Sequence, residues 1–273
     1  METNYTSKIL TFIKEIKNQD FSEYHQSTLA SQIGERIKVC KKDNISDYFS
    51  LLRESAEEQN NLIESLTIGV SYFFRDSLSF ELLNKVILPE LISNKKDTLR
   101  IWSAGCFTGE EPYSIAILIK ELIEKLNLEV KTIIFATDID EKALNNAKSG
   151  SYLPEKMKNV KYSNLEKYFT LTDGYYKIKD EIKEMVNFSY HNLLNKSFSV
   201  PKESIFGQFD IILCRNVIIY FTAKTQRKIF KSLTKSLKLG GYLFLGEAEF
   251  ISNDLMRSLK QASKFCNLYE KME

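Results

Sequence analysis

The stretch Ile101-Trp102-Ser103-Ala104-Gly105-Cys106-Phe107-Thr108-Gly109-Glu110-Glu111-Pro112 decides the fold. Leu99–Ser103 reads as a short buried strand, and a helical pattern takes over by Glu111. Between them, Gly105 and Gly109 permit a tight turn and a close backbone approach to a ligand that a Cβ would block. Ligands of open α/β sheets bind at the carboxyl ends of the strands, which makes this turn the first candidate site. It departs from the GxGxxG pattern, and two carboxylates at a helix start would repel a pyrophosphate. A cationic or zwitterionic ligand without phosphates fits better than a dinucleotide. The same acids also fit an ordinary helix N-terminus, where the dipole favours negative charge.

Outward from this turn, strand and helix patterns alternate. Val130–Thr137, Phe209–Cys214 and Gly241–Gly246 read as strands, with helices around Glu111–Leu126, Glu141–Lys148 and Ala223–Leu237. That order, with right-handed crossovers, predicts an α/β fold with a parallel, doubly wound sheet. A tail strand near Phe265–Tyr269 closes it. The interval 151–190 breaks the rhythm. There Thr170–Thr172 and Tyr175–Ile178 flank Asp173-Gly174, a hairpin-turn pair, so a small antiparallel β-subdomain is expected. Upstream of Thr98 the texture is helical: Ile9, Phe12, Ile13 and Ile16, then Leu29, Ile33, Ile37 and Cys40, recur at helix spacing. A further helix is expected over Ser77–Ile92. The organisation read from this is an all-helical domain with its linker over 1–75 and a sheet domain over 76–273.

The second strand end, Phe135-Ala136-Thr137-Asp138, presents a carboxylate. Asp138 can accept hydrogen bonds from both ribose hydroxyls of an adenosine, or it can cap the following helix. With the glycine turn, it points to S-adenosylmethionine. The third strand end is FDIILCRNVIIYF, residues 209–221. Arg215 and Asn216 there are costly unless they face a cleft or bond the sheet end.

Composition excludes other classes. The 273 residues carry 38 Lys+Arg against 36 Asp+Glu, a net charge of +2 that argues against wholesale nucleic-acid or lipid binding. With 43% apolar residues the chain is not disordered, and no apolar run approaches the ~20 residues that span a bilayer. Acidic and basic residues interrupt the N-terminal apolar pattern, and a cytoplasmic location is expected. Cys40, Cys106, Cys214 and Cys266 form no CxxC pair, and His25 and His191 are isolated, so no metal is expected. No GxSxG elbow is present.

The segments WSAGCFTGEEPYS, ATDID, HNLL, FDIILCRNVIIYF, GGYLFLGEAE and SYFFRD (71–76) resemble the CheR family, the chemotaxis receptor glutamate O-methyltransferases. The resemblance runs in order from about residue 10 to 270. It implies an N-terminal helical domain and a Rossmann-like S-adenosylmethionine-dependent methyltransferase domain with an inserted β-subdomain. It implies cofactor contacts at Ser71, Arg75, Glu111, Asp138, Asn192, Leu193, Arg215 and Asn216, with Gly105 in the turn, and S-adenosylhomocysteine as product. Arg75 and Tyr220 occupy the positions implicated in transfer. Gly69 stands where the family commonly has Asn, Ser71 where it has Thr, and Phe107 where it has Ser or Thr.

An acceptor glutamate of pKa about 4.3 is ionised at neutral pH, so the transfer needs no general base. Arg75 can bind a carboxylate as a planar fork or form a surface ion pair. Tyr220 can orient a reactant or fill the core as a phenol. The expected partner is the cytoplasmic helical bundle of a chemoreceptor. A cofactor-binding sensor, or a carboxylate methyltransferase for another signalling protein, is the alternative. Ser27–Lys42 sets Arg36, Lys38, Lys41 and Lys42 against the single acid Glu35, a local +3 expected to face solvent and steer an acidic substrate. Only the stretch Thr170–Met185 separates Phe169 from Val186, which predicts action without a receptor C-terminal pentapeptide tether.

Overall fold

Four amphipathic helices bury one stripe each: α1 (Glu2–Lys17), α2 (Gln26–Val39), α3 (Ile45–Glu54) and α4 (Ala56–Leu66). Ile9, Ile13, Leu29, Ile33, Leu52 and Leu62 are fully buried, at helical spacing within each element. Asn44 caps α3 by accepting from the Ser46 and Asp47 amides, and the Ser55 hydroxyl caps α4 by accepting from Glu58 N. The computed structural model describes residues 2–17, 19–67, 71–93, 95, 97–195, 199–204, 208–251 and 257–272. The sequence reading at Gly69 lies outside them.

The chain forms two compact units. Met1–Gly69 makes the first together with a distant segment, Tyr220–Gln226. His25 N donates to Tyr220 O at 2.9 Å and Thr222 N to Glu23 O at 3.0 Å, while the Tyr24 and Phe221 rings lie 4.7 Å apart. Nothing local in the sequence announces this pairing.

Arg36 corrects the expectation of a solvent-facing basic helix. Its Nε donates to Glu58 Oε1 at 3.0 Å and Nη2 to Oε2, and the Tyr48 hydroxyl donates to Oε1 at 2.8 Å. The Glu58 side chain is 7% exposed, so its charge requires a partner, and Arg36 turns inward to supply it. Lys38 pairs with Glu35 at 2.7 Å on the surface, while Lys41 is exposed and Lys42 half-buried.

The second unit comprises Val70–Ile219 and Arg227–Glu273. Its first helix runs as α5 (Ser77–Leu82), a π-helical turn at Leu83–Ile87, and α6 (Leu88–Ser93). Pro89 cannot donate a main-chain hydrogen bond and its ring crowds the carbonyl four residues back, which accounts for the widened turn. Then follow β1 (Leu99–Ala104), α7 (Glu110–Leu126), β2 (Thr132–Asp138) and α8 (Glu141–Ser149). The insert holds β3 (Ser151–Tyr152), α9 (Tyr162–Tyr168), β4 (Phe169–Thr172), β5 (Tyr175–Ile178) and α10 (Asp180–Lys183). The chain continues through β6 (Val186–Tyr190), β7 (Phe209–Cys214), α11 (Ala223–Ser236), β8 (Leu237–Leu245), β9 (Leu259–Gln261) and β10 (Leu268–Lys271).

The main sheet has the order β6-β2-β1-β7-β8-β10-β9; β6 to β8 are mutually parallel and β10 is antiparallel to both its neighbours. The small antiparallel sheet is β3-β5-β4, turned at Asp173 (φ 52°) and Gly174 (φ 78°) as that residue pair demands. Two sequence expectations shift. Val186–Tyr190, assigned to the insert, instead pairs with β2 as the edge of the main sheet, its polar Asn187 and Ser189 hiding the strand from an apolar-run reading. The tail strand begins at Leu268 rather than Phe265, whose ring is 79% exposed. Among the described residues no helix is long and apolar enough to cross a membrane, and no group of three or more His, Cys, Asp or Glu side chains is placed to hold a metal ion. All four cysteines are free.

Burial pushes the Glu58 carboxyl up, but hydrogen bonds from Arg36 and Tyr48 outweigh it and leave its pKa below the ordinary 4.5. The ionised form therefore contributes stability above that ordinary value, and the contribution is lost as pH falls through the lowered one. Arg36→Ala strands the carboxylate and should destabilise the helical unit by about 3 kcal/mol in chemical denaturation. Unchanged stability would remove the pair from the account of this unit.

Candidate functional site

At the carboxyl end of β1 the backbone turns through Gly105 (φ 80°), Phe107 (φ 47°) and Gly109 (φ 90°). Gly105 N and Cys106 N donate to Thr137 O at 2.8 and 2.9 Å, and Phe107 N donates to Asp138 Oδ2 at 2.8 Å. The turn is thus fastened to the end of β2. The sequence reading of the glycines is corrected in one respect. A Cβ at Gly105 would overlap the Val217 side chain, and one at Gly109 would come within 2.8 Å of Ala147 Cβ. Protein side chains occupy those spaces, so the glycines serve the turn and its packing.

Of the two readings of Asp138, helix capping falls instead to Asp140, whose side chain accepts from Lys142 N and Ala143 N. Asp138 accepts from Phe107 N and, through Oδ1, from Asp140 N at 3.0 Å. Burial pushes its pKa above the ordinary 3.8 against the pull of these amides. His191 N donates to Asp138 O at 3.0 Å, which brings Asn192 and Leu193 to the same strand end. Asn192 Oδ1 accepts from Leu194 N at 2.8 Å and shapes that turn.

The acidic pair of α7 divides between two cations. Glu110 is fully buried and pairs with Lys156 Nζ at 3.0 Å, while the Thr108 hydroxyl donates to its Oε2 at 2.7 Å. Glu111 accepts from the Ser103 hydroxyl at 2.8 Å and faces Arg215 Nη1 at 3.3 Å. Its pKa is raised, because burial outweighs Arg215 and Ser103.

Arg215 is the hub. Its side chain is 2% exposed. Nη2 donates to Asp76 Oδ2 at 2.7 Å and to Arg75 O at 3.1 Å, and the guanidinium lies over the Phe80 and Phe244 rings. Its Nε has no hydrogen-bond partner among the described residues. Arg75 is flanked by Phe74 (φ 53°) and Asp76 (φ 59°), two non-glycine residues in the left-handed region that persist only where surrounding bonds enforce them. Those bonds are present. Phe74 N donates to Ser114 Oγ, Asn159 Nδ2 to Phe74 O, and Lys156 Nζ to Ser71 O at 2.6 Å.

Ser71, Arg75, Gly105, Glu111, Asp138, Asn192, Leu193, Arg215 and Asn216 all fall in the sheet unit; Tyr220 groups with the helical unit, as do Arg36, Lys38, Lys41 and Lys42. Sequence reasoning missed Asp76, although it ends the quoted SYFFRD, and Glu249, within GGYLFLGEAE. Glu249 is buried and accepts from the amides of Asn216, Val217, Ile218 and Gly246, holding Asn216 at φ 59° after β7.

The donor set suits a nucleoside bearing an amino-acid end. Asp138 brings a carboxylate to one strand end, Glu111 a second beside the glycine turn, and Arg215 carries an unused donor. With the doubly wound sheet, these groups make the carboxyl ends of β1, β2 and β7 the candidate site for such a ligand.

Comparison with known proteins agrees. The family model described as "CheR methyltransferase, SAM binding domain" matches residues 69–265, and "CheR methyltransferase, all-alpha domain" matches residues 6–67. A chemotaxis protein methyltransferase of Borreliella burgdorferi is 35% identical over 239 residues, covering 85% of this chain and 83% of that protein. Chemotaxis protein methyltransferase 2 of Vibrio cholerae is 37% identical over 222 residues, covering 80% and 75%. Among solved structures, PKMT2 from Rickettsia typhi in complex with AdoHcy aligns over 65% of this chain and 26% of that chain, with 15% identity and a TM-score of 0.37. The chain belongs to the CheR methyltransferase family. Its cofactor is S-adenosylmethionine.

Asp138→Asn should weaken S-adenosylhomocysteine binding roughly ten- to hundredfold in calorimetry, the worth of a hydrogen bond to a charged acceptor. Because burial raises the Asp138 and Glu111 pKa values, affinity should begin to fall with decreasing pH while still above the ordinary 3.8 and 4.5. Parent-like affinity in the variant, or a pH-independent profile, would place the cofactor elsewhere.

Proposed function

We propose that this chain transfers the methyl group of S-adenosylmethionine to the side-chain carboxylates of glutamates in the cytoplasmic helical bundle of a chemoreceptor. The observation that carries this reading is that chemotaxis protein methyltransferases match 80–85% of this chain, which itself carries both the all-helical and the cofactor-binding domains of the family. A cytoplasmic site of action follows from it.

When bound, the cofactor supplies a methyl carbon made electrophilic by its sulfonium. Asp138 and Glu111 hold the nucleoside and amino-acid ends, and the Arg75 fork aligns a carboxylate, its backbone fixed through Arg75 O by Arg215. Tyr220 orients the acceptor through its hydroxyl. A carboxylate is already ionised at neutral pH, and its charge cancels that of the sulfonium as the ester forms. No proton has to move, and positioning supplies the rate. His191 is consistent with that: buried against Trp102, it has a lowered pKa and a packing role.

Lys38, Lys41 and Lys42, at and just beyond the end of α2, would steer an acidic substrate. Arg36 is committed to Glu58 and drops out of that set. The insert links β4 and β5 by the two-residue Asp173-Gly174 turn, a short excursion that supports recruitment without a receptor pentapeptide.

Incubation with methyl-labelled cofactor and purified chemoreceptor cytoplasmic fragments should give label that base treatment releases as methanol. Arg75→Lys and Tyr220→Phe should each lower kcat, with S-adenosylhomocysteine affinity kept in the Tyr220 variant. Base-stable label, or none, contradicts the glutamate ester.

A further inference from the structure

Helix α11 (Ala223–Ser236) carries Lys224, Arg227, Lys228, Lys231 and Lys235 and not one acidic residue. Thr225, Ile229, Phe230 and Leu233 turn inward and are buried, so the helix is anchored along one face. All five cations are exposed on the other. Among the described residues none of them enters an ion pair or hydrogen bond. The contrast with α2 is direct, since there Arg36 is taken by Glu58 and Lys38 by Glu35.

Local stability does not explain this composition. Arg227–Lys231 and Lys231–Lys235 are like-charge pairs at i,i+4, which destabilise a helix, and Lys224 opposes the helix dipole at the first turn. The concentration is also not a global excess, because the whole chain carries only +2. Arg227, Lys231 and Lys235 lie in a row of roughly 12 Å, repeating every ~6 Å along a helix that follows β7. Carboxylates at i,i+4 on a partner helix repeat at the same interval.

We propose that the α11 face is a docking surface for the acidic helical bundle of the receptor, with Arg227, Lys228, Lys231 and Lys235 as its contact row. This rests on the proposed substrate class, which supplies glutamate-bearing helices as the complementary surface. Attraction of this kind acts mainly on encounter and register and is screened within about 8 Å at physiological salt.

The test uses the full chain and a purified cytoplasmic fragment of a methyl-accepting chemoreceptor, with binding read by calorimetry at low and at physiological salt. Parent binding should weaken with salt. The Arg227→Gln/Lys228→Gln/Lys231→Gln/Lys235→Gln variant should bind about tenfold or more weakly at low salt, with a flatter salt dependence and the parent's affinity for S-adenosylhomocysteine. If that variant does not fold, Lys231→Gln/Lys235→Gln should show a smaller change in the same direction. Parent-like binding by the folded variants overturns the docking role. So does a parent that ignores the fragment, or one that binds vesicles of phosphatidylcholine and phosphatidylglycerol in its place. Salt-dependent docking without labelled methyl ester would refute the glutamate reading and leave the docking surface standing.

Discussion

The guanidinium of Arg215 joins three parts of the chain that are remote in sequence. It follows the last residue of β7, it reaches the first turn of α7 through Glu111, and it holds the 71–76 linker through Asp76 and the carbonyl of Arg75. A cation this buried is tolerable only with such partners, since removing water from an unpaired charge costs several kcal/mol. The left-handed backbone at Phe74 and Asp76 is an indirect consequence. The linker bends through unfavourable angles because its side chain and carbonyl are claimed by Arg215, while Lys156, Asn159 and Ser114 secure the residues before it.

The same physics recurs wherever this fold buries a carboxylate. Glu58 has Arg36 and Tyr48, Glu110 has Lys156, and Asp210 receives Lys95, Lys238 and the amide of Arg100. Glu249 pairs with no cation among the described residues and instead collects four main-chain amides. Glu111 differs in kind. Its pairing with Arg215 is long at 3.3 Å, and burial keeps its pKa raised. That leaves an under-compensated carboxylate beside the glycine turn, at the position proposed above to meet the amino-acid end of the cofactor.

Much of this was legible in the sequence because it depends on local periodicity. The apolar run Phe209–Cys214 coincides with β7, Asp173-Gly174 turns a hairpin, and Leu29 and Ile33 face the helical core. Strand-end placement of Asp138 and Arg215 follows from the same patterns. What was not legible depends on pairing across distance. Arg36 and Glu58 are 22 residues apart, Arg215 and Asp76 139 apart, and no periodicity links them. Tyr220–Gln226 belongs with the helical unit for the same reason, through bonds to Glu23 and His25. A surface charge reads alike in sequence whether it meets water, as on α11, or a buried acid, as on α2.

Arg215 couples the linker to Glu111, the carboxylate proposed to meet the cofactor, and a double-mutant cycle tests that coupling most directly. Asp76→Asn, Glu111→Gln and the double variant would be compared for S-adenosylhomocysteine affinity by calorimetry. Coupling through one guanidinium predicts a non-additive interaction of about 0.5–3 kcal/mol between the two sites. Effects that add to within about 0.5 kcal/mol would show the two carboxylates to be independent and contradict the account.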